Sequence, residues 1–279
     1  DSSLILFISF LSWLCLAYKR SDSSFSLYCI GDCHAGTIHC VEDHIRKKID
    51  EIKNKKNAYW IGMGDYAEWI TPQDKRFDPN LKSIASWVEP DNIAHCQTEW
   101  LSKLFEPIKK KCVGLLYGNH ENAIRMYNHD NVIKNLCENL GVDNLGYSCF
   151  LRLLFRRENS TETHLIKGTF THGSSGAITE GAKLMALMRF MKSFDADIYG
   201  YGHIHDYIPK SLSRLTISPQ GKIKSQVSIG CTTGSWFRTY TKGVIASYGE
   251  MKVYPPTEIC CAVFTINPNT GLMDVQRSI

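Results

Sequence analysis

Short apolar runs alternate with amphipathic stretches through the first half of the chain. The apolar runs, each ending at a polar turn, predict buried strands at residues 25–30, 58–63 and 112–117. Apolar side chains three or four positions apart among charged ones predict helices at residues 41–56, 93–105 and 132–140. Strands that alternate with helices are typical of a parallel sheet, so we expect an α/β fold.

Residue types that bind metal ions follow the apolar runs, and each cluster contains a glycine. The clusters are Gly31-Asp32-Cys33-His34, Gly64-Asp65, Gly118-Asn119-His120-Glu121, His172-Gly173 and Gly202-His203-Ile204-His205. The carboxyl ends of parallel strands meet at one edge of a sheet, so we expect these clusters to converge. In an extended segment, side chains two positions apart point the same way, which predicts that Asp32 and His34 reach one cation.

The donor atoms of the clusters restrict both the metal and the chemistry. A single histidine of this kind is more often a hydrogen-bonded core or loop residue, but the ordered set favours a metal site. Imidazole nitrogens and carboxylate or amide oxygens, with no thiolate among them, suit Mn²⁺, Fe or Zn²⁺. Two cations roughly 3.5–4 Å apart polarise phosphoryl oxygens and lower the pKa of a shared water. Hydrolysis of a phosphoester is therefore one reaction that such a pair of cations can serve.

The ordered set resembles the calcineurin-like metallophosphoesterase superfamily. The pattern of that superfamily is D-x-H, G-D, G-N-H-[D/E], a later histidine followed by glycine, and G-H-x-H, and the resemblance spans residues 31–206. It implies a four-layered α/β/β/α sandwich with a dinuclear metal site at the carboxyl ends of the strands. It also implies that strands from about Lys222 onward complete the second sheet.

The same resemblance implies a role for each residue of the clusters. Two divalent metal ions, with Mn²⁺ expected and Fe or Zn²⁺ as alternatives, would each take three residues, and Asp65 would bridge them. The first metal would take Asp32, His34 and His205, and the second would take Asn119, His172 and His203. His120 would lie near the leaving group and donate a proton to it; the alternative is that His120 only holds another ligand in place.

Two departures from the superfamily pattern bear on the substrate. Glu68 stands where many members have aspartate, at a position that is usually not a ligand. Protein phosphatases of the superfamily carry an arginine soon after the second aspartate, and here Trp69 and Ile70 occupy that neighbourhood. Arg125 is the candidate to contact the substrate phosphate instead, so a protein phosphatase is disfavoured.

The motif set favours a phosphodiesterase or nuclease that acts on phosphodiesters, DNA or RNA included. The insert at residues 69–92 and the segment at residues 235–238 combine aromatic and basic side chains, which can stack bases or serve as ordinary core and rim residues. A small-molecule phosphomonoesterase is one alternative. A metal-binding scaffold without catalytic activity is an alternative of another class.

Composition and charge add little about the substrate. The formal net charge of +4 comes from 32 basic and 28 acidic residues, a balance too even to imply nucleic acid or an anionic membrane as partner. The 11 cysteines include no C-x-x-C pair. Free thiols are typical of a reducing compartment, so we expect a cytoplasmic protein.

An apolar segment at residues 4–18, followed by Lys19 and Arg20, precedes the first cluster. It is short for a membrane span and lacks a positively charged start and a clear cleavage site. The alternatives are a signal, a membrane anchor and a packed extension; the first two would change the expected localisation. We therefore divide the chain into an N-terminal segment, residues 1–24, and a catalytic domain, residues 25–279.

Overall fold

The computed structural model describes residues 11–22, 24–74, 76–77 and 81–279, and within these ranges the chain forms thirteen strands and six α-helices. The strands are β1 (Leu11–Tyr18), β2 (Phe25–Ile30), β3 (Ala58–Gly62), β4 (Cys112–Leu116), β5 (Asn144–Gly146), β6 (Ser148–Arg157), β7 (Thr163–Thr171), β8 (Ile198–Tyr201), β9 (Pro209–Ile217), β10 (Ile223–Thr232), β11 (Gly234–Ser235), β12 (Cys260–Asn267) and β13 (Leu272–Ser278). The helices are α1 (Glu42–Asn54), α2 (Ile93–Phe105), α3 (Asn119–Asn128), α4 (Val132–Leu140), α5 (Glu180–Ser193) and α6 (Tyr248–Met251).

The described strands form two sheets. In the first sheet the order is β11-β12-β2-β3-β4-β5, with β13 paired to β12. Strands β2, β3, β4 and β5 run parallel to their neighbours, which confirms the predicted parallel sheet, and β12 adds to β2 in the antiparallel direction. In the second sheet the order is β1-β6-β7-β8-β10-β9, in which β7, β8 and β10 run parallel.

Helices cover the outer face of each sheet, and apolar side chains fill the space between the sheets. Ile49 of α1 and Leu101 of α2 pack on the outer face of the first sheet beside Trp60. Leu187 and Met191 of α5 pack on the outer face of the second sheet. A third cluster, which includes Leu27, Ile61, Leu151, Phe170 and Ile198, lies between the sheets. The layers are therefore helix, sheet, sheet, helix, as the sequence predicted.

The sequence pattern predicted three of the six described helices, α1, α2 and α4, and did not predict α3, α5 and α6. The predicted bounds of the helices at residues 93–105 and 132–140 are those of α2 and α4, and α1 is slightly shorter than predicted. The pattern did not predict α3, because this helix begins within the Gly118-Asn119-His120-Glu121 cluster and lacks a continuous apolar stripe. Helix α3 carries Asn119 and His120 in its first turn.

The expectation that strands from about Lys222 onward complete the second sheet is confirmed for β10 and is wrong for the strands that follow it. Strand β10 joins the second sheet between β8 and β9, but β11, β12 and β13 extend the first sheet. Strand β12 pairs with β2 at positions such as Val263 and Tyr28. The C-terminal strands therefore flank the strand that leads to Asp32.

Part of the apolar N-terminal segment is a strand, and residues 1–10 lie outside the described ranges. Strand β1 pairs in parallel with β6 at the edge of the second sheet. Leu16 and Tyr18 are buried, whereas Leu11 and Trp13 are more than half exposed. In the part of the chain that the structure describes, the helices are all too short or too polar to cross a bilayer.

Candidate metal centre

The predicted metal ligands converge at the carboxyl ends of the central strands. Asp32 follows β2, Asp65 follows β3, and Asn119 opens α3 directly after β4. His172 follows β7 of the other sheet, and residues 203–205 follow β8. Three groups hold ligand atoms that all lie within 4.8 Å of one another. These groups are Asp32–His34–His205, His34–Asp65–His120 and Asp65–His172–His203.

The first group places one carboxylate and two imidazoles around a single point. The Nε2 atoms of His34 and His205 lie 3.0 Å apart, and Nε2 of His205 lies 3.3 Å from Oδ1 of Asp32. The other carboxylate oxygen, Oδ2, accepts a hydrogen bond from the backbone N–H of His203 at 2.9 Å. Oδ1 of Asp32 is buried and lacks a hydrogen-bond partner among the described residues.

The Asp65–His172–His203 group surrounds His172, which is fully buried. Its Nδ1 lies 2.8 Å from the carbonyl oxygen of Met63, so Nδ1–H donates there and Nε2 faces the site. Nε2 lies 3.3 Å from Oδ2 of Asp65 and 3.1 Å from Oδ1 of Asn119. Nδ1 of His203 is buried without a partner in the described chain. Asn119 therefore joins the Asp65–His172–His203 group through its amide oxygen.

Asp65 belongs to two of the groups and lies between them. Its Oδ1 accepts the backbone N–H of His120 at 2.9 Å, while Oδ2 is buried and lacks a hydrogen bond from the described residues. Burial by itself would raise the pKa of Asp65, but His172 and His120 hold that pKa well below its usual range. An anionic carboxylate with an unpartnered buried oxygen fits a divalent cation, as does Oδ1 of Asp32.

The backbone at the site differs from the extended form expected for the D-x-H and H-x-H segments. Five of the predicted ligands have a positive φ between 48° and 68°, namely Asp32, His34, Asp65, His203 and His205. This left-handed region is unfavourable for residues with a Cβ and is found at sites where the surrounding structure imposes it. At Asp32 and His34, backbone hydrogen bonds to the Gly64-Asp65 turn hold this conformation, including Asp32 N–H to the Gly64 carbonyl at 2.8 Å.

Two glycines allow the strand ends to approach one another. A Cβ on Gly64, which has a φ of +89°, would lie 2.6 Å from the backbone nitrogen of Gly118. A Cβ on Gly118 would collide with Oδ1 of Asp65. A side chain at either position would therefore separate Asp65 from Asn119.

Glu68 contacts two of the histidines from outside the groups. Its Oε1 lies 3.1 Å from Nδ1 of His34, an ion-pair distance without hydrogen-bond alignment, and Oε2 lies 3.7 Å from Nδ1 of His120. Burial would raise the pKa of Glu68, but these two imidazoles lower it to about 2. The carboxylate therefore orients the His34 ring so that Nε2 faces Asp32 and His205.

Glu121 ties the second and third clusters together, a role that the motif alone did not reveal. Its carboxylate is buried and accepts three backbone N–H groups, from Asp65 and Tyr66 at 3.0 Å each and from Gly118 at 2.7 Å. Burial and the neighbouring Asp65 carboxylate raise the pKa of Glu121 to about 7. Glu121 thus fixes the turn that carries Asp65 and the start of α3.

His120 is held on both sides of its ring. Nδ1 donates to the carbonyl oxygen of Glu68 at 2.7 Å, and Nε2 lies 2.9 Å from Nη1 of Arg76. Arg76 is in turn paired with Asp74, from Nη2 to Oδ2 at 2.6 Å and from Nε to Oδ1 at 3.0 Å. Burial lowers the pKa of His120 below its usual value. His120 is therefore a neutral imidazole whose Nε2 accepts from a guanidinium.

The structure brings Arg76 to the site and leaves Arg125 away from it. Arg125 donates to Asn122 on the exposed side of α3 and does not line the cavity described below. Arg76 lies in the insert at residues 69–92, where the sequence showed mixed charges and aromatics. The D-x-R spacing of Asp74 and Arg76 was the available signal, but only the folded chain shows that it points to His120.

The groups open into a cavity of about 1070 Å³. Its floor includes His34, Asp65, Asn119, His203 and His205. One wall includes the loop at residues 174–178, and a second wall includes residues within 237–257. A cavity of this size accommodates a substrate larger than phosphate itself.

Comparison with known families gives a match that includes all five clusters. The model of the family described as "Calcineurin-like phosphoesterase" matches residues 25–207, more than half of the chain. A search of curated proteins found no significant match.

Several solved structures are similar to the chain at low identity. A protein from Streptococcus pneumoniae, described as a predicted phosphoesterase, is 11% identical, with 92% of this chain and 99% of that chain covered and a TM-score of 0.35. Vps29 from Chaetomium thermophilum is 11% identical, with 91% and 94% covered and a TM-score of 0.36. GAP50, the anchor in the inner membrane complex of Plasmodium, is 12% identical, with 92% and 84% covered and a TM-score of 0.40.

Proposed function

We propose that this chain, which belongs to the calcineurin-like phosphoesterase family, uses two divalent metal ions to hydrolyse phosphodiesters. The observation that carries the proposal is a set of buried ligand atoms that converge beside the cavity and have no hydrogen-bond partner in the described part of the chain. They include Oδ1 of Asp32, Oδ2 of Asp65 and Nδ1 of His203. Buried polar atoms without partners are costly, and cations would satisfy all three.

The residues divide naturally between two cations. Asp32, His34 and His205 would hold the first, Asn119, His172 and His203 would hold the second, and Asp65 would contact both. When bound, the ions would supply charge neutralisation at the phosphoryl oxygens and a water of lowered pKa. The nitrogen and oxygen donors favour Mn²⁺, with Fe and Zn²⁺ as alternatives.

The reaction adds the oxygen of water to phosphorus while the bond from phosphorus to the leaving oxygen breaks. The products are a phosphomonoester and an alcohol, and the alcohol oxygen needs a proton. His120 would deliver it from Nε2, so Arg76 has to release this nitrogen and Nε2 has to take up a proton from solvent first, while the attacking water gives up its own proton to solvent. A phosphoryl oxygen of the substrate is the acceptor that Nη1 of Arg76 would take in exchange, which places the guanidinium on the substrate.

The charge of the cavity supports a diester rather than a monoester. Among the described residues that line it, the lysine and arginine side chains are Arg76 and Lys183. Arg76 is paired with Asp74, and Lys183 lies 3.2 Å from Oδ2 of Asp206. A diester carries one negative charge and a monoester up to two near neutral pH, so a cavity with little net positive charge beyond the metals suits the diester.

A metal-replacement experiment tests the proposal. Protein treated with a chelator should lose turnover of bis-p-nitrophenyl phosphate and recover it best with Mn²⁺, and elemental analysis should find close to two metal ions per chain. Turnover of the diester should exceed that of p-nitrophenyl phosphate. Two bound metals with no turnover of either ester would instead support a metal-binding scaffold.

Substitution of His120 tests the proton donor. We expect His120→Asn to retain both metals and to slow diesters of poorly acidic alcohols by roughly 10²–10⁴-fold, the usual contribution of a positioned general acid. An ester of p-nitrophenol leaves as a stabilised anion, so its rate should fall much less. His164→Asn is the matched control, because His164 pairs with Glu162 and does not line the cavity. Equal losses on good and poor leaving groups would contradict proton donation.

A further inference from the structure

We infer that the diester carries a long alkyl or acyl chain, which lies against an apolar rim at the mouth of the cavity. This inference rests on the proposed function and names its substrate class. The apolar rim consists of the exposed large apolar residues of the lining, Ile178 on one wall and Ile245, Tyr248 and Met251 on the second wall. These side chains are 52%, 42%, 59% and 67% exposed. Apolar side chains grouped on the surface around a reactive site are typical of a binding surface.

An aromatic ring connects the apolar rim to the candidate metal centre. The ring of Phe237 lies 5.3 Å from that of His34 and 6.0 Å from that of His205, centroid to centroid. Phe237 also lines the cavity, as the residues of the apolar rim do. A phosphate held at the metals would therefore direct an attached chain along Phe237 and toward the rim.

Hydroxyl groups of Ser247, Thr239 and Thr257 on this wall are engaged with other groups of the wall rather than with the cavity. The hydroxyl of Ser247 donates to the carbonyl oxygen of Thr239 at 2.6 Å. The hydroxyl of Thr239 lies 2.6 Å from that of Thr257. Recognition of a nucleobase requires polar groups that are available to its edges. This wall offers apolar contact instead, which suits an aliphatic chain better than a base.

The charge of the cavity also disfavours a polynucleotide. Proteins that bind nucleic acid place several basic side chains along the phosphate backbone. In the described lining, Arg76 and Lys183 are each paired with a carboxylate, so a second and a third phosphate would find few cationic partners. We therefore place the single phosphate of an amphiphilic diester at the candidate metal centre and its apolar chain against the apolar rim.

The wall that carries the rim is held in place before any ligand binds. The hydroxyl of Ser247 accepts the backbone N–H of Glu250 at 3.1 Å and so caps the short helix α6. The hydroxyl of Tyr240 donates to the carbonyl oxygen of Tyr254 at 2.9 Å. Tyr248 and Met251 are thus exposed on an ordered segment, and ordering this segment adds no cost to binding.

Two diesters that differ only in chain length test the inference. With Mn²⁺ supplied, we compare methyl p-nitrophenyl phosphate with octyl p-nitrophenyl phosphate, the latter below its critical micelle concentration. Burying one methylene completely raises affinity about fourfold. The apolar rim is about half exposed, so it would bury only part of the octyl chain. We therefore expect kcat/KM to be at least about tenfold higher for the octyl ester than for the methyl ester. A thymidine oligonucleotide serves as the polyanionic comparison.

A double substitution in the rim has a closely matched control. Tyr248→Ser with Met251→Ser should lower kcat/KM for the octyl ester by about fivefold or more, because most of the apolar contact is lost, while the methyl ester changes less than about twofold. Tyr127→Ser with Met126→Ser removes a tyrosine and a methionine that are 55% and 62% exposed and do not line the cavity. This control should leave both esters unchanged. Ile178→Ser on the other wall should repeat the selective loss.

The outcomes separate this inference from the proposed function. Equal kcat/KM for the methyl and octyl esters, both hydrolysed, would overturn the apolar-chain substrate and leave the phosphodiesterase in place. Faster cleavage of the oligonucleotide than of the octyl ester would also overturn it. Hydrolysis of no ester at all by protein with two bound metals would overturn both.

Discussion

Replacing Asp65 with alanine should abolish turnover and lower metal occupancy at both sites of the candidate centre. Asp65 is the carboxylate shared between the two groups, and its Oδ2 is buried without a hydrogen-bond partner among the described residues. Loss of a residue on which the whole site depends typically lowers kcat by roughly 10⁴-fold or more. Elemental analysis together with turnover of bis-p-nitrophenyl phosphate measures both effects.

Two further substitutions separate the charge of Asp65 from its backbone conformation. Asp65 has a φ of +51°, which asparagine tolerates better than alanine does. Asp65→Asn should therefore remove the negative charge while the turn is preserved. The variant should still lose activity and bound metal at both sites. Asn119→Ala should chiefly reduce occupancy of the second site. Normal two-metal occupancy in folded Asp65→Asn would rule out a bridging carboxylate.

Substitution of Glu121 should have the largest effect on stability. The Glu121 carboxylate is 1% exposed and accepts backbone N–H groups of Asp65, Tyr66 and Gly118. Glu121→Ala leaves these buried donors without partners, so we expect the free energy of unfolding to fall by roughly 3–5 kcal/mol. For a domain of this size that loss lowers the melting temperature by roughly 10 °C.

Glu121→Gln is the sharper variant because it keeps the volume of the side chain. The amide of glutamine has one accepting oxygen, and its NH₂ group would face a backbone N–H donor. We therefore expect Glu121→Gln to lose more than half of the stability that Glu121→Ala loses. Glu138→Gln on the exposed side of α4 is the control and should change the free energy of unfolding by less than about 0.5 kcal/mol. A melting temperature for Glu121→Gln equal to that of the control would contradict this role.

The sequence predicted those helices and strands that are indicated by the spacing of apolar residues close together in the chain. Helices α2 and α4 begin and end where the apolar spacing begins and ends, and strands β2, β3 and β4 end close to the predicted positions. The order of the ligand-bearing turns could be predicted for the same reason, since each follows an apolar run and parallel strands bring their carboxyl ends together. The metal ions themselves, their identity and the role of each ligand remain predictions.

Other features depend on contacts between segments that are distant in the chain. Arg76 reaches His120 because Asp74 directs its guanidinium, and Glu121 binds the turn of Asp65 across 56 positions. The left-handed backbone at Asp32 and His34 arises from hydrogen bonds to the second cluster, so an isolated D-x-H segment gives no sign of it.

The apolar rim shows the same division between local pattern and tertiary structure. In the sequence, Ile178, Ile245, Tyr248 and Met251 are scattered apolar residues, each unremarkable among its neighbours. The spacing of apolar residues along the chain indicates which face of a helix or strand is buried, because the direction of each side chain follows from the geometry of that helix or strand. Which side chains share a cavity depends on how remote elements pack. The sequence alone therefore determined the fold class and the candidate ligands, and the tertiary structure decided what surrounds them and which surface a substrate would meet.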